Sequence, residues 1–509
     1  MLLQATRLLR FTKDNNQASR PVFDELTAVF ATLISSLPLG SHYVGLFKVQ
    51  HFYSFTSEEA ILNLRELKLQ QQIKTIDKSG KLVTSTTITT YVLEFSSCVH
   101  MMQLFLNARL LRCVTDPEKL EFKPNMLFQP TPKGVAIVGE FSQRIGVTSP
   151  NVRTLLTSSL NTCIRLVHLE RDHDTDHIST IENVIEIIFQ RFAGSQATDN
   201  SHNHASKFHN SPESHDTSDS TLSGPIDLSN YNDSYQGVRL VESKRFHLRE
   251  FRNCFSGMSA LQWIMNCTTV LDTREAITIL KAFCQLGLIT SCIERIVGDT
   301  FYADKNYWYI LTTKGKHVAG WPSRGRSPNY AVSITHSELN NLSNFTIDQK
   351  YTTNLEYILN DPALRLLFKE HLKESICEEN LVFYLESGKI LEQFSELQKN
   401  QFPSLERVKI CLSEAWMVYN NYLAPGSASE VNIDHSLRKR VRDRMTAEGN
   451  FNSEIEQSLS TAVNKVTEVV SLLVDVRTQV FRLMASDSVP KFIKTKRFAE
   501  VGLRELQTN

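Results

Sequence analysis

The residue types that most often do chemistry show no catalytic or metal-binding spacing in this chain. Its nine cysteines are an odd number and none forms a Cys-x-x-Cys pair, which is typical of reduced thiols rather than a zinc site or a disulfide framework. Four histidines could bind a metal, but a polar linker rich in serine, asparagine and aspartate explains them better: His202, His204, His209 and His215. We therefore predict no metal ion and no cofactor.

Motifs for nucleotide binding and hydrolysis are also missing from the sequence. It contains no GxxxxGK[ST] phosphate loop, no HExxH and no GxSxG. The chain is therefore not expected to bind GTP through a phosphate loop, or to be an enzyme with an active site of its own.

The length and composition predict folded domains without a strong electrostatic preference. At 509 residues, 41% of them hydrophobic, the chain can form about three domains. Its 55 basic and 55 acidic side chains cancel, which gives no overall attraction to nucleic acid or anionic membranes. The sequence has no apolar run of about 18 residues and no signal-peptide pattern, so we expect a cytoplasmic protein.

Two polar stretches divide the chain. Residues 194–236 have almost nothing to bury and are predicted to be a disordered linker, and residues 322–347 form a second linker. Ser211 and Ser327 each precede a proline in these linkers and are candidate phosphorylation sites. The predicted folded parts are residues 20–145, 237–321 and 348–505, with a helical connector at residues 146–193.

The first two folded parts share a repeated pattern. In each, an amphipathic helix ends near a pair of apolar residues, an aromatic strand follows, and a Thr-x-Lys-Gly sequence comes next, at residues 131–134 and 312–315. Because these elements recur in the same order at similar spacing, we predict a duplicated domain.

The second of these parts resembles a DEP domain. The resemblance rests on Cys-Phe-Ser-Gly at residues 254–257, Trp263, Gly-Leu-Ile at residues 287–289 and Phe-Tyr-Ala-Asp at residues 301–304. It implies a winged-helix-like α+β fold that docks on a receptor tail or a membrane surface, and it makes residues 20–145 a degenerate DEP-like domain. Four basic residues nearby are either a solvated face or a lipid site: Lys244, Arg245, Arg249 and Arg252.

A DNA-binding winged helix is the alternative for these two parts, but the sequence disfavours it. A recognition helix should be basic. The predicted helix at residues 273–286 carries only Arg274 and Lys281 against Glu275. We therefore expect no nucleic-acid partner.

The C-terminal part has the periodicity of an all-α bundle. Asp361 followed by Pro362 predicts a helix start, and Ser375 with Glu378 predicts a capping box for the next helix. Apolar residues at intervals of three and four predict further helices at residues 403–422, 435–446, 453–485 and 490–498. The expected fold class is mainly α: an all-α C-terminal bundle preceded by winged-helix-like α+β domains.

Three motifs of this bundle, in order, resemble the RGS domain family. Residues 354–386 contain the Glu-Glu-Asn that begins a helix, residues 430–434 form E-x-N-x-D, and residues 483–492 read L-M-x-x-D-S-x-x-K-F. Together with the DEP resemblance, they are similar to the fungal regulators that desensitise pheromone or nutrient receptors.

The RGS resemblance implies a surface that grips the switch regions of a G-protein α subunit (Gα) and activates its GTPase. The residues implied to bind Gα are Glu379 and Asn380 in the first segment, Glu430 and Asn432 in the second, and Leu483, Asp487, Ser488 and Lys491 in the third. Asp434 and Arg438 are implied to support the second segment. The same resemblance implies a peripheral location at the plasma membrane.

Two features depart from the family pattern. Lys491 stands where the family usually has arginine, so a bidentate contact would be weaker. The segment TAEGNFNSEIEQ lengthens the chain between Asn432 and Leu483 and is expected to form an extra loop. The alternative to a GTPase activator is a non-catalytic scaffold that holds receptor and Gα together.

Overall fold

The computed structural model describes thirteen stretches of the chain: residues 21–44, 49–76, 82–117, 119–145, 149–172, 175–194, 237–246, 249–292, 300–321, 347–402, 404–427, 429–447 and 459–498. Ser211, Ser327, nearly all of both predicted linkers, and most of the extra loop predicted between Asn432 and Leu483 lie outside them. The chain divides into two compact units. One comprises residues 1–160, 169–184 and 330–509, and the other comprises residues 161–168 and 185–329. Within the described stretches, no helix is both long and apolar enough to cross a membrane.

The N-terminal domain is a winged helix with one four-stranded antiparallel sheet. Its sheet order is β1-β2-β6-β5, and β3 and β4 form a separate long hairpin. The elements are α1 (Phe23–Ser36), β1 (Gly40–Val44), β2 (Val49–Thr56), α2 (Ser57–Arg65), β3 (Glu66–Ile76), β4 (Leu82–Val92), α3 (Phe95–Asn107), β5 (Leu111–Cys113), β6 (Leu127–Pro130), α4 (Pro132–Ile145) and α5 (Pro150–Leu156).

The second unit repeats this architecture. Its sheet order, β7-β8-β10-β9, matches that of the N-terminal domain strand for strand. The elements are α6 (Glu182–Ala193), β7 (Val241–Phe246), β8 (Arg249–Ser256), α7 (Gly257–Cys267), α8 (Thr273–Gln285), β9 (Ile289–Ser291), β10 (Trp308–Leu311) and α9 (Thr313–Val318). The structure thus contains the same topology twice.

The Thr-x-Lys-Gly sequence has the same structural task in both copies. Thr312 Oγ1 donates a hydrogen bond to the Gly287 carbonyl oxygen at 2.6 Å and accepts one from the Gly315 amide at 2.9 Å. A Cβ on Gly315 would lie 2.0 Å from the Leu288 carbonyl oxygen, so only glycine fits. In the N-terminal domain, Thr131 Oγ1 likewise donates to the Arg109 carbonyl oxygen and accepts from the Gly134 amide. A Cβ on Gly134 would clash with the Leu110 carbonyl oxygen.

Replacing Gly134 by alanine is expected to destabilise the N-terminal domain by about 1–3 kcal/mol, because the added Cβ would lie 2.2 Å from the backbone oxygen of Leu110. Gly139→Ala in the same helix is the control. Its Cβ would meet only the flexible Leu156 side chain, at 3.2 Å, so this change should be neutral or slightly stabilising. Urea unfolding of both variants measures the difference, and equal stabilities would refute the steric argument.

The predicted helical connector at residues 146–193 is wrong between its two ends. Helix is present only in α5 and α6, and residues 157–181 are not helical where the structure describes them. Cys163 has a φ of +54°, which a helix does not allow, and Val167 pairs with Thr268 in a β-bridge. Ile164 and Leu166 are buried two residues apart, which is the spacing of a strand. The helix predicted over this apolar run is therefore wrong.

Helix α6 belongs to the core of the second unit rather than to a connector. Its Phe189 packs edge-on against Phe283 at 5.0 Å between ring centroids. Its Phe192 contacts Phe255 at 5.3 Å and Trp263 at 5.4 Å. Helix α1 has the equivalent place in the N-terminal domain, where Phe30 packs on Phe105 at 5.2 Å. Each winged helix therefore begins with a helix that precedes its sheet.

The C-terminal part is a helical bundle throughout its described residues. Its elements are α10 (Ile347–Asn360), α11 (Pro362–Glu374), α12 (Glu378–Lys399), α13 (Leu405–Val418), a π-helical turn (Tyr419–Leu423), α14 (His435–Ala447), α15 (Leu459–Leu483), a second π-helical turn (Met484–Ser488) and α16 (Val489–Ile493). Helices α12, α13 and α15 pack against one another around a core rich in leucine and valine. The predicted mainly-α fold class is confirmed.

Candidate functional site

The first predicted segment lies at the turn between α11 and α12. The predicted capping box is wrong, because Ser375 ends α11, and Cys377 precedes α12 without a side-chain cap. The turn instead closes through backbone, since the Cys377 amide donates to the Leu372 carbonyl oxygen at 2.9 Å. Ile376 between them has a φ of +55°, a strained conformation for a β-branched residue.

Asn380 holds this turn from inside. It is only 6% exposed, and its Nδ2 donates to the Cys377 carbonyl oxygen and to the Glu379 carboxylate, each at 3.3 Å. Its Oδ1 is buried and has no hydrogen-bond partner among the residues that the structure describes. Burial raises the pKa of Glu379, and the neighbouring charge of Glu378 raises it further. In the free protein, Asn380 therefore shapes the turn more than it offers surface to a partner.

The second segment, residues 430–434, lies directly before α14. The Val431 amide donates to the Tyr422 carbonyl oxygen at 2.9 Å. Val431 and Ile433 are buried, while Asn432 between them is exposed. Two apolar anchors thus fix the backbone on either side of an outward-facing carboxamide, which can both donate and accept hydrogen bonds.

Polar contacts close the same segment on itself. Glu430 accepts a hydrogen bond from the Gly426 amide at 3.0 Å and forms an ion pair with Arg438. Arg438 also donates to the Val431 carbonyl oxygen at 3.1 Å. Asp434 caps α14 by accepting from the Ser436 side chain and from its amide at 2.8 Å, and these hydrogen bonds lower the pKa of Asp434.

The third segment spans the end of α15, the second π-helical turn and α16. Leu483 is half-buried and Ser488 is buried, whereas Asp487 and Lys491 are exposed. Lys491 Nζ donates to Asp487 at 2.7 Å, one helical turn away. Because both side chains are more than half exposed, this pair contributes little to stability and is free to exchange for contacts with a partner.

Intervening contacts link the three segments. Cys377 in the first segment lies beside Ser488, and the charges of Glu379 and Asp487 act on its thiol, whose pKa is raised mainly by burial. Phe383, one turn into α12, packs edge-on against Tyr422 at 5.8 Å. The Tyr422 backbone then bonds the second segment, as described above. The first segment therefore neighbours the third segment directly and the second segment through Tyr422.

The arrangement is suited to recognition and not to covalent chemistry. It presents carboxylates, a carboxamide and an ammonium group, which are groups able to hydrogen-bond a partner's backbone or side chains. Over the part of the chain that the structure describes, no cluster of histidine, cysteine, aspartate or glutamate has the geometry to hold a metal ion.

The structure adds one surface residue that the sequence analysis missed. Ile376 is 90% exposed and lies three residues before Glu379 in the first segment. No sequence pattern identifies it, because its exposure depends on the left-handed turn that ends α11. An exposed large apolar side chain beside polar groups is typical of an interaction surface.

Three parts of the chain match known protein families. Residues 25–158 match the fungal-differentiation regulator winged helix domain, residues 237–311 match the DEP domain, and residues 354–501 match the regulator of G protein signaling (RGS) domain. The N-terminal domain, expected to be a degenerate DEP domain, thus matches a winged-helix family. The chain therefore contains a DEP domain followed by an RGS domain, the domain named for regulators of G-protein signalling.

Two fungal relatives extend over nearly the whole chain. The developmental regulator flbA of Emericella nidulans is 36% identical over 98% of this chain, which spans 65% of that protein. Regulator of G-protein signaling 1 of Schizosaccharomyces pombe is 26% identical over 96% of the chain and 92% of its own length. The chain is similar to these two fungal regulators over nearly its whole length. A shorter match, 33% identity over 23% of the chain, is to regulator of G-protein signaling rgs-6 of Caenorhabditis elegans, of which the chain covers 14%.

Proposed function

We propose that the chain accelerates GTP hydrolysis by a Gα subunit, and that its helical bundle does so by binding the Gα switch regions in their transition-state arrangement. The observation that carries this proposal is the second segment. There, exposed Asn432 stands between two buried apolar anchors, Val431 and Ile433, on a loop closed by the ion pair of Glu430 with Arg438.

The physical logic needs no catalytic group from this chain. Gα carries in cis the arginine and the glutamine that phosphoryl transfer requires. A partner that binds the transition-state arrangement more tightly than the GTP-bound ground state lowers the barrier by the difference in binding free energy. Each tenfold of rate requires only about 1.4 kcal/mol of such preference.

The site residues divide into those that touch Gα and those that hold them in place. Asn432 is proposed to hydrogen-bond the Gα glutamine and to help position the attacking water. Its carboxamide can donate and accept hydrogen bonds, but because it is neutral it does not act as a general base at pH 7. Exposed Ile376 supplies apolar contact. The proposed polar contacts come from Glu379, Glu430, Leu483 through its backbone, Asp487, Ser488 and Lys491, and the proposed supports are Asn380, Asp434 and Arg438.

Single-turnover GTP hydrolysis by Gα, with and without the full chain, tests this function. An increase of at least tenfold in the rate is expected. Binding without acceleration would favour a scaffold that only holds Gα in place. A pull-down that compares Gα bound to GDP, a GTP analogue, and GDP with aluminium fluoride should show the strongest binding to the aluminium fluoride state, which mimics the transition state.

Arg438→Ala is expected to lower the acceleration about 3–10-fold, because it removes the ion pair with Glu430 and the hydrogen bond to the Val431 carbonyl oxygen. The single-turnover rate measures this loss. Arg440→Ala in the same helix is the matched control, since Arg440 is 61% exposed and pairs with Asp475 on α15 at 3.0 Å, away from the second segment. Equal losses in the two variants would argue against a special role for Arg438.

We also propose that the DEP domain brings the chain to a membrane surface or a receptor tail, which would place it peripherally at the plasma membrane. The register of β7 with β8 puts Lys244 and Arg249 on one face of this hairpin and Arg245 and Arg252 on the other. Lys244 lies 3.6 Å above the Trp308 ring, so it is held by cation–π contact.

Vesicle sedimentation discriminates between the two docking targets. The four basic residues are divided between two faces, so a receptor tail is the favoured target. Weak binding of the full chain to vesicles with and without phosphatidylserine is then expected. Strong, salt-sensitive binding that requires phosphatidylserine would favour the membrane surface.

A further inference from the structure

The N-terminal winged helix and the RGS bundle lie in the same compact unit. Two ion pairs tie the bundle to the N-terminal side of the chain, one to the winged helix and one to the segment that follows α5. Lys373 at the end of α11 donates to Glu140 of α4 at 2.8 Å. Arg365, also on α11, donates to the Glu170 carboxylate through Nη2 at 3.0 Å and through Nε at 3.3 Å. The Arg365 pair is largely shielded from solvent, because its side chains are 23% and 15% exposed.

A third group of charges meets at the start of α1 and the middle of α12. Burial raises the pKa of Glu386, and the nearby Arg144 of the winged helix opposes this. Asp24 is exposed at the start of α1. Desolvation by neighbouring atoms acts to raise its pKa, but the positive charges of Arg144 and Lys389 outweigh this and hold the pKa below its ordinary value. Arg144 is therefore close to both an α1 and an α12 carboxylate.

This contact reaches the second segment of the RGS surface. Glu386 lies beside the buried Tyr422, whose pKa is raised by burial and by the Glu386 charge. Tyr422 in turn packs against Phe383 and accepts the Val431 amide at 2.9 Å. The charge of Arg144 in the winged helix thus acts on Glu386 in α12, and Glu386 lies beside the tyrosine whose backbone bonds Val431, the residue that precedes Asn432.

The docked winged helix leaves the proposed Gα surface open. Asn432, Asp487 and Lys491 are exposed with the domain in place. None of the ion-paired residues that join the two domains is among the residues proposed to contact Gα. The geometry is therefore that of a support and not of a cover.

We infer that the N-terminal winged helix is an intramolecular brace for the RGS domain: docked on α11 and α12, it holds Tyr422 and thereby the loop that carries Asn432. Its effect on hydrolysis rests on the proposed GTPase-activating function. The docking itself and its effect on the loop do not, so they are tested separately.

Docking is tested directly in the full chain with a zero-length carbodiimide cross-linker. Since the Lys373 amine and the Glu140 carboxylate are 2.8 Å apart, a cross-linked peptide containing both residues is expected by mass spectrometry. Its absence, when other lysine–carboxylate pairs at similar distances react, would overturn the inference. Lys491 and Asp487, at 2.7 Å within one domain, provide that reference pair.

The effect on the loop is tested by reversing charges. The variant Glu170→Arg with Lys373→Glu places like charges at both ion pairs and should undock the domain. In hydrogen exchange of the full chain, the Val431 amide is expected to exchange at least about threefold faster, and acceleration of GTP hydrolysis should fall about 3–10-fold, the rate equivalent of 0.7–1.4 kcal/mol. Adding Glu140→Lys and Arg365→Glu restores opposite charges and should restore both values.

The outcomes separate the brace from the proposed function. Unchanged hydrogen exchange at the Val431 amide in a folded, undocked variant would overturn the brace. Faster GTP hydrolysis with that variant would also overturn it, because the winged helix would then be an inhibitor. Circular dichroism of the variant and recovery in the fourfold variant exclude simple misfolding. If the wild-type chain gives no acceleration at all, the proposed function fails, while the cross-link and the exchange still decide the brace.

Discussion

Alanine in place of Asn432 should reduce the acceleration of GTP hydrolysis by Gα about 10–100-fold. The change removes a carboxamide whose loss leaves polar groups of the partner unsatisfied in a buried interface, which costs about 1–3 kcal/mol. Because Asn432 is exposed and its anchors Val431 and Ile433 remain, folding should be unaffected. Single-turnover hydrolysis and an unfolding curve measure the two effects.

Asn400→Ala provides the matched control for this experiment. Asn400 is exposed at the far end of α12, a 22-residue helix about 33 Å long, whose other end carries Asn380. This variant should keep full activity. Full activity in a folded Asn432→Ala protein would falsify the assignment of the second segment. Asn380→Ala is a less informative test, because Asn380 is nearly buried and its loss also disturbs the α11–α12 turn.

The largest effect on stability is expected from Phe192→Ala in α6. Phe192 is fully buried and contacts Phe189, Phe255, Trp263 and Phe283, with centroid distances between 5.1 and 6.0 Å. Truncating such a side chain leaves a cavity and costs about 3–5 kcal/mol. Urea unfolding followed by tryptophan fluorescence reports on this unit, because three of the four tryptophans of the chain belong to it: Trp263, Trp308 and Trp321.

Phe95→Ala is the control for the same chemical change at the surface. Phe95 is 62% exposed at the start of α3, so its truncation should alter stability by no more than about 0.5 kcal/mol. If Phe192→Ala were equally mild, α6 would be an independent connector, as the sequence analysis expected, and not the first helix of the DEP unit. The experiment therefore decides where the DEP unit begins.

Local signals predicted the helices of the bundle well. Asp361 caps α11 as expected, with its Oδ1 accepting the Leu364 amide at 2.7 Å. Gly287 has the positive φ, +65°, expected of a glycine that ends a helix. Such signals succeed because a cap or a terminating glycine acts within one helical turn. The segment at residues 157–181 failed for the opposite reason, since its apolar residues are ordered by distant partners such as Thr268.

From the sequence alone came the order of the domains, the duplicated winged-helix pattern and the three segments of the RGS surface. Each of these features is recognisable from the local spacing of residues or from family motifs, and neither depends on distant contacts. Only the tertiary structure decided that α6 completes the DEP core, that Asn380 is buried while Asn432 is exposed, and that the N-terminal domain docks on α11 and α12. Burial and ion pairing between residues more than 200 positions apart, such as Glu140 with Lys373, are set by the packed chain, and no local pattern encodes them.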